Sequence, residues 1–136
     1  MNTGTQPEMN STINQCIQHC WDSHRSCLET ASYCLQMGGA FANPAFINLL
    51  MDCATICATN ANFMIRNSTY HLQVCGFCAI VCTACADACS TAGHNAILFG
   101  DLNNPDSEIA KRISKVASTQ IRADLGLNTG VRYQGI

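Results

Sequence analysis

Five cysteines crowd into the fifteen residues CGFCAIVCTACADAC, 75 to 89, of a 136-residue chain that holds eleven in all. A thiol can form a disulfide, act as a nucleophile or, once ionised, bind a soft metal ion, and spacing helps to choose among these. Cys75, Cys78, Cys82, Cys85 and Cys89 follow one another at steps of three, four, three and four. That is the a/d rhythm of a helix seam, and at about 100° per residue all five fall within an arc of roughly 80°. Cys16, Cys20, Cys27 and Cys34, at steps of four, seven and seven, share an arc of roughly 40°. Cys53 and Cys57 stand one helical turn apart. The pattern predicts three helices, each with one stripe of thiols.

Cysteines in the interior of one helix do not readily pair with each other, because their Cβ vectors run side by side. The odd count also argues against a closed disulfide framework, although bridges between facing helices stay open. As core packing, eleven cysteines bury less apolar area than Leu, Ile or Val would, and they add an oxidation liability. A nearly pure thiolate set suits Cu(I), Zn(II) or an iron-sulfur cluster. Four thiolates around a buried zinc leave two net negative charges in a low-dielectric core, whereas one Cu(I) per thiolate with bridging sulfurs leaves none. Charge therefore favours several Cu(I) ions per chain, with Zn(II) as the alternative. The ferredoxin run C-x2-C-x2-C-x3-C-P is not matched, since the first three spacings are two, three and two intervening residues and no proline follows Cys89. His71, four residues before Cys75 on the same stripe, could complete a site at the mouth of the bundle. Met64, in line with Cys53 and Cys57, could add a thioether. Ordinary packing is the other reading of both.

Caps and breakers divide the chain into elements. Residues 1–11 are polar, with Gly4 and Pro7, and read as a flexible tail. A first helix is expected over about 12–38, ended by Gly38 and Gly39. Asn43 before Pro44 caps a second over 44–66, whose inner face carries Phe46, Leu50, Cys53, Cys57 and Met64, with Asn60 as an unexpected polar member. The third, over 70–92, is expected to stop at Gly93. Asn104 and Pro105 open a fourth over 107–125, amphipathic and without cysteine. Residues 126–136 read as a C-terminal arm. The expected fold is all-α: an antiparallel four-helix bundle with a cysteine-lined core.

Composition narrows the function classes. Only 12% of residues are charged and the formal net charge is −2, so there is no basic field for nucleic acid. The N-terminus shows neither the charged nor the apolar region of a secretory signal. The apolar runs are too short and polar-broken for a membrane span. A cytoplasmic location with reduced thiols is the expectation. No catalytic triad, phosphate loop or H-E-x-x-H occurs, and an enzyme is not expected. CGFC, residues 75 to 78, lacks the strand-then-helix setting of a thioredoxin-like site.

The residues resemble those of the cysteine-rich copper storage proteins, four-helix bundles whose helices repeat C-x-x-x-C and C-x-x-C steps. CIQHC with Cys27 and Cys34, CATIC, and above all CGFCAIVCTACADAC carry the likeness, which covers roughly residues 13 to 94. It implies Cu(I) held along the bundle axis between thiolates. By the same resemblance Cys16 with Cys20, Cys53 with Cys57, Cys78 with Cys82 and Cys85 with Cys89 match the family's four-apart pairs, and a homo-oligomer, commonly a tetramer, is implied. The cysteine-free fourth helix departs from the family's pattern and implies a smaller capacity. The expected function is a store or buffer of Cu(I), with copper ions and a copper chaperone as partners. The alternatives are a thiol redox sensor, a zinc or iron-sulfur helical protein, and a structural oligomer whose cysteines only pack.

Overall fold

The computed structural model describes residues 7–98 together with Arg112, Ile113, Lys115 and Val116. Among these residues all secondary structure is helical: α1 spans Pro7–Met37, a 3-10 turn Gly39–Ala42, α2 Pro44–Ile65 and α3 His71–Leu98.

No glycine or proline interrupts residues 8–37, and α1 runs through them unbroken. It starts at Pro7, ahead of the expected position 12, so the end of the expected tail is helical. Proline fits the first helical position, where its fixed φ is already suitable and its missing N–H is not needed. At the other end Gly38 and Gly39 take φ of 74° and 63°, the left-handed region that a Cβ would penalise. The Gly38 N–H donates to the Cys34 carbonyl at 3.0 Å, satisfying one of the carbonyls that a helix end leaves open.

The boundaries of α2 follow from its caps. The Asn43 side chain accepts from the N–H groups of Ala45 at 2.9 Å and Phe46 at 3.3 Å, and Pro44 takes the first helical position. At the C-terminus Asn67 has φ 53°. Its N–H donates to the Met64 carbonyl and that of Ser68 to the Phe63 carbonyl, each at 3.0 Å, the paired closure of a Schellman motif. α3 then continues past Gly93, the expected stop, to Leu98. Glycine ends a helix where it turns left-handed, as at Gly38; in helical backbone it only weakens the helix, by about 1 kcal/mol.

α2 packs against both α1 and α3. The His24 Nδ1 lies 2.8 Å from the Ala54 carbonyl oxygen, Ser23 Oγ 3.2 Å from Cys57 Sγ, and Asn60 Nδ2 3.5 Å from Cys20 Sγ. Contacts therefore ascend α2 as they descend α1. The same reversal relates α2 to α3, through Cys53 with Cys82, Cys57 with Cys78, and Asn60 with Cys75.

The core between the helices is built of small side chains. All eleven cysteines are buried, none more than 3% exposed, and Ala31, Ala54, Ala61 and Ala79 accompany them. Leu50, Ile47 and Met64 supply bulk from α2. The expected fourth helix and C-terminal arm lie outside the described residues except for Arg112, Ile113, Lys115 and Val116, which are helical. Of these, Ile113 and Val116 are fully buried in the same core and add aliphatic surface to it. Arg112 places its guanidinium over the Tyr33 ring of α1, 4.6 Å from its centroid.

One expectation about membranes is overturned. The stretch His71–Ala92 of α3 is long and apolar enough, by length and composition alone, to cross a bilayer. Its five cysteines contribute to that character and are buried inside the fold, while Phe77 and Ile80 are exposed.

Candidate metal centre

The three stripes meet as a column of sulfur. Cys27, Cys53 and Cys85, one from each helix, bring their Sγ atoms within 4.8 Å of one another, and so do Cys53, Cys57 and Cys82. Cys53 belongs to both triplets. Two sulfurs bound to one ion at about 2.3 Å each stand at most about 4.6 Å apart. The triplets are therefore near bridging distance already, without rearrangement of the helices. Around them Cys57 Sγ lies 3.6 Å from Cys82 and 3.8 Å from Cys78, and Cys78 lies 3.7 Å from Cys82. Toward one end of the column Cys75 lies close enough to Cys16 to feel its charge, and toward the other Cys34 lies close enough to Cys89 to do so. None of the eleven cysteines is in a disulfide.

Burial makes these thiols hard to ionise in the absence of a cation. It pushes Cys16 up, Cys34 up to about 11 with help from Cys89, and Cys75 up to about 12. Within the crowded centre the thiols share protons. Cys57 is pulled down by hydrogen bonds with Cys20, Cys53, Cys78 and Cys82. Cys20 is pushed up by its bonds with Cys57 and Cys78, and Cys82 by its bonds with Cys53, Cys57 and Cys78. Hydrogen bonds from its neighbours stabilise a thiolate at Cys57, while the same network and burial hold protons on the thiols around it. A soft cation replaces those protons and removes the burial penalty by neutralising the sulfurs.

Two further residues named from the sequence lie toward the Cys75 end. Met64 is buried in the core. His71 opens α3 half-buried, and its Nδ1 is buried with no hydrogen-bond partner. Asn60, the unexpected polar residue, is fully buried and bonded on both sides to thiols: its amide donates to Cys20 and its carbonyl oxygen accepts from the Cys75 thiol at 3.1 Å.

Ser23 was missed by the sequence reading. It is fully buried, 3.2 Å from Cys57 Sγ and 3.9 Å from Cys53 Sγ. A signal was present: the seven-residue gaps between Cys20, Cys27 and Cys34 are each split into three and four by Ser23 and Thr30. Thr30 is buried too. Restoring them gives α1 the same seam as α3, with hydroxyls at two of its positions.

A helical core in which reduced thiols from three helices converge offers a donor set suited to soft metal ions. The family model described as "Copper storage protein" matches residues 9–98, and the chain belongs to that family. Its members are storage proteins rather than enzymes. The chain is 30% identical over 80 residues to the uncharacterized cysteine-rich protein YhjQ of Bacillus subtilis (strain 168), covering 59% of this chain and 74% of that protein. A shorter stretch of 50 residues is 40% identical to the Hdr-like menaquinol oxidoreductase iron-sulfur subunit 1 of Archaeoglobus fulgidus; it covers 37% of this chain but 19% of that protein. Among solved structures, the crystal structure of the Nmul_A1745 protein from Nitrosospira multiformis superposes with a TM-score of 0.66 at 28% identity, covering 88% of this chain and 97% of that one.

Proposed function

We propose that this protein stores or buffers several Cu(I) ions per chain as thiolate complexes inside an antiparallel four-helix bundle. The observation that carries the reading is the pair of all-sulfur triplets joined at Cys53. A shared sulfur lets neighbouring ions be bridged, and the donor set of the triplets contains neither carboxylate nor imidazole, which suits a soft monovalent ion. The reversed contact order along α1, α2 and α3 supports the antiparallel arrangement, and the buried Ile113 and Val116 support a fourth helix with an aliphatic inner wall. All eleven cysteines serve as ligands, with Met64 and His71 at the Cys75 end; the unpartnered Nδ1 of His71 supports its inclusion. The protein acts in the cytoplasm as a homo-oligomer, exchanges copper with a chaperone, and uses neither membrane nor nucleic acid.

Anaerobic titration of the reduced protein with Cu(I) against a competing chelator, with thiols counted on the same sample, tests this. Several ions are taken up per chain, with thiol reactivity lost in step. Uptake of one ion or none contradicts storage, and reversible disulfides formed at low oxidant without stoichiometric copper favour a redox sensor.

A further inference from the structure

α3 carries a second seam on the side away from the thiols. Tyr70, Gln73, Phe77, Ile80, Ala84 and Asp87 follow one another at steps of three and four, the same a/d rhythm as the cysteines, on an arc of about 100° turned away from the core. All are exposed, Tyr70 by 65%, Phe77 by 57% and Ile80 by 67%. The Tyr70 carbonyl accepts from the Val74 N–H at 3.3 Å, so this residue is continuous with the helix and the stripe runs for about 26 Å along it. Asp87 is the only Asp, Glu, Lys or Arg between His71 and Leu98, and only 39% of the apolar stretch His71–Ala92 is buried. A helix face that meets water carries charged and polar side chains. This one carries large apolar side chains at the spacing with which a facing helix interlocks.

The order of residues identifies the facing helix. About its midpoint, between Phe77 and Ile80, the stripe matches itself in reverse. A two-fold axis there sets Phe77 against Ile80, Gln73 against Ala84 and Tyr70 against Asp87 of a second copy, each pair occurring twice. The bulky pair meets at the centre, the long Gln73 crosses the small Ala84, and a Tyr70 hydroxyl faces a carboxylate at both ends. Charge agrees with this direction. The antiparallel arrangement brings Asp87 to the N-terminal end of the other α3, the positive end of its macrodipole, where Arg66 is also exposed. A parallel two-fold pairing sets Asp87 against Asp87. A bilayer surface fits less well, because a helix lying on lipid is rimmed by Lys or Arg, and α3 has neither.

We propose that the outward stripe of α3 is the surface through which two copies of this chain associate, their α3 helices antiparallel, with Phe77 of each against Ile80 of the other. This rests on the homo-oligomer part of the proposed function and gives it a surface and a register.

Sedimentation equilibrium of the reduced full-length protein tests it. The wild type is compared with Phe77→Glu/Ile80→Glu and with Phe77→Glu/Ile80→Lys, each checked for helicity by circular dichroism. Both positions are exposed, so neither double variant opens the core. The wild type sediments as a dimer or a multiple of one. In the first variant like charges face each other across the two-fold axis, and the association weakens by about 100-fold, halving the mass. The second variant loses the same apolar side chains but sets each new carboxylate against the new ammonium of the other copy, recovering about tenfold of that loss at low salt. A first variant that associates as the wild type does puts the interface elsewhere and overturns the proposal alone. Equal weakening in the two variants contradicts the antiparallel register and also overturns it. A wild type that stays monomeric overturns the homo-oligomer reading and this proposal with it, and if that monomer floats with phosphatidylcholine–phosphatidylglycerol vesicles the stripe belongs to a membrane. Copper uptake is measured separately, and none of these results bears on it.

Discussion

Ser23 and Cys57 form a close polar contact in the buried core, a hydroxyl 3.2 Å from a sulfur that four other thiols also approach. A neutral hydrogen bond of this kind contributes about 1 kcal/mol net. Ser23→Ala is therefore expected to lower the stability of the apoprotein by about that amount, seen as a shift of the urea midpoint at unchanged slope. No shift would mean that the hydroxyl does not support the thiol network. The eleven cysteines were legible as one interior set because helical periodicity alone placed them on common faces. Ser23 and Thr30 were not, because a reading confined to cysteines saw steps of seven where the full seam alternates four and three. The His24 contact to the Ala54 carbonyl was not legible either, since it depends on how α1 is rotated against α2, which periodicity within one helix does not specify.

At the scale of elements, α2 was read within a residue at each end, because both of its ends carry chemically explicit signals. Asn43 accepts from two N–H groups that the first turn leaves open. Asn43→Ala is expected to destabilise the fold by about 1 kcal/mol, measured by chemical denaturation. Asn43 is exposed, so the substitution removes the cap without opening a cavity in the core. α1 and α3 each proved longer than expected, for opposite reasons. Pro7 was taken for a tail residue although it suits a helix start, and Gly93 was taken for a stop although only a left-handed glycine ends a helix. Composition marks where breaking is easy; the backbone conformation decides whether it happens.

For the whole molecule, the burial of so many thiols couples stability to pH. In the unfolded chain a thiol ionises near the ordinary 9.0, whereas in the fold Cys34 keeps its proton to about 11 and Cys75 to about 12. Their folded values are raised, so their contribution to stability is fully present below pH 9 and is lost as pH rises through 11 and 12. Cys20, Cys27, Cys53, Cys82 and Cys85 are pushed up as well, and the one lowered thiol, Cys57, is hydrogen-bonded within the same cluster, so the column as a whole stays protonated below pH 9. The reduced apoprotein should thus show a constant urea midpoint between about pH 6 and 8 and a falling one from about pH 9 upward. A midpoint that rises across that upper range would contradict the burial of neutral thiols. Copper reverses the trend, because metal binding expels those same protons and tightens as pH rises.

The central claim is that copper is held by the buried sulfurs, and X-ray absorption at the copper edge of the anaerobically loaded protein tests it most directly. The predicted result is Cu(I) with a first coordination shell dominated by sulfur and a further copper neighbour from ions that share Cys53. A first shell of nitrogen and oxygen donors, or isolated copper sites with no copper neighbour at full loading, would contradict it.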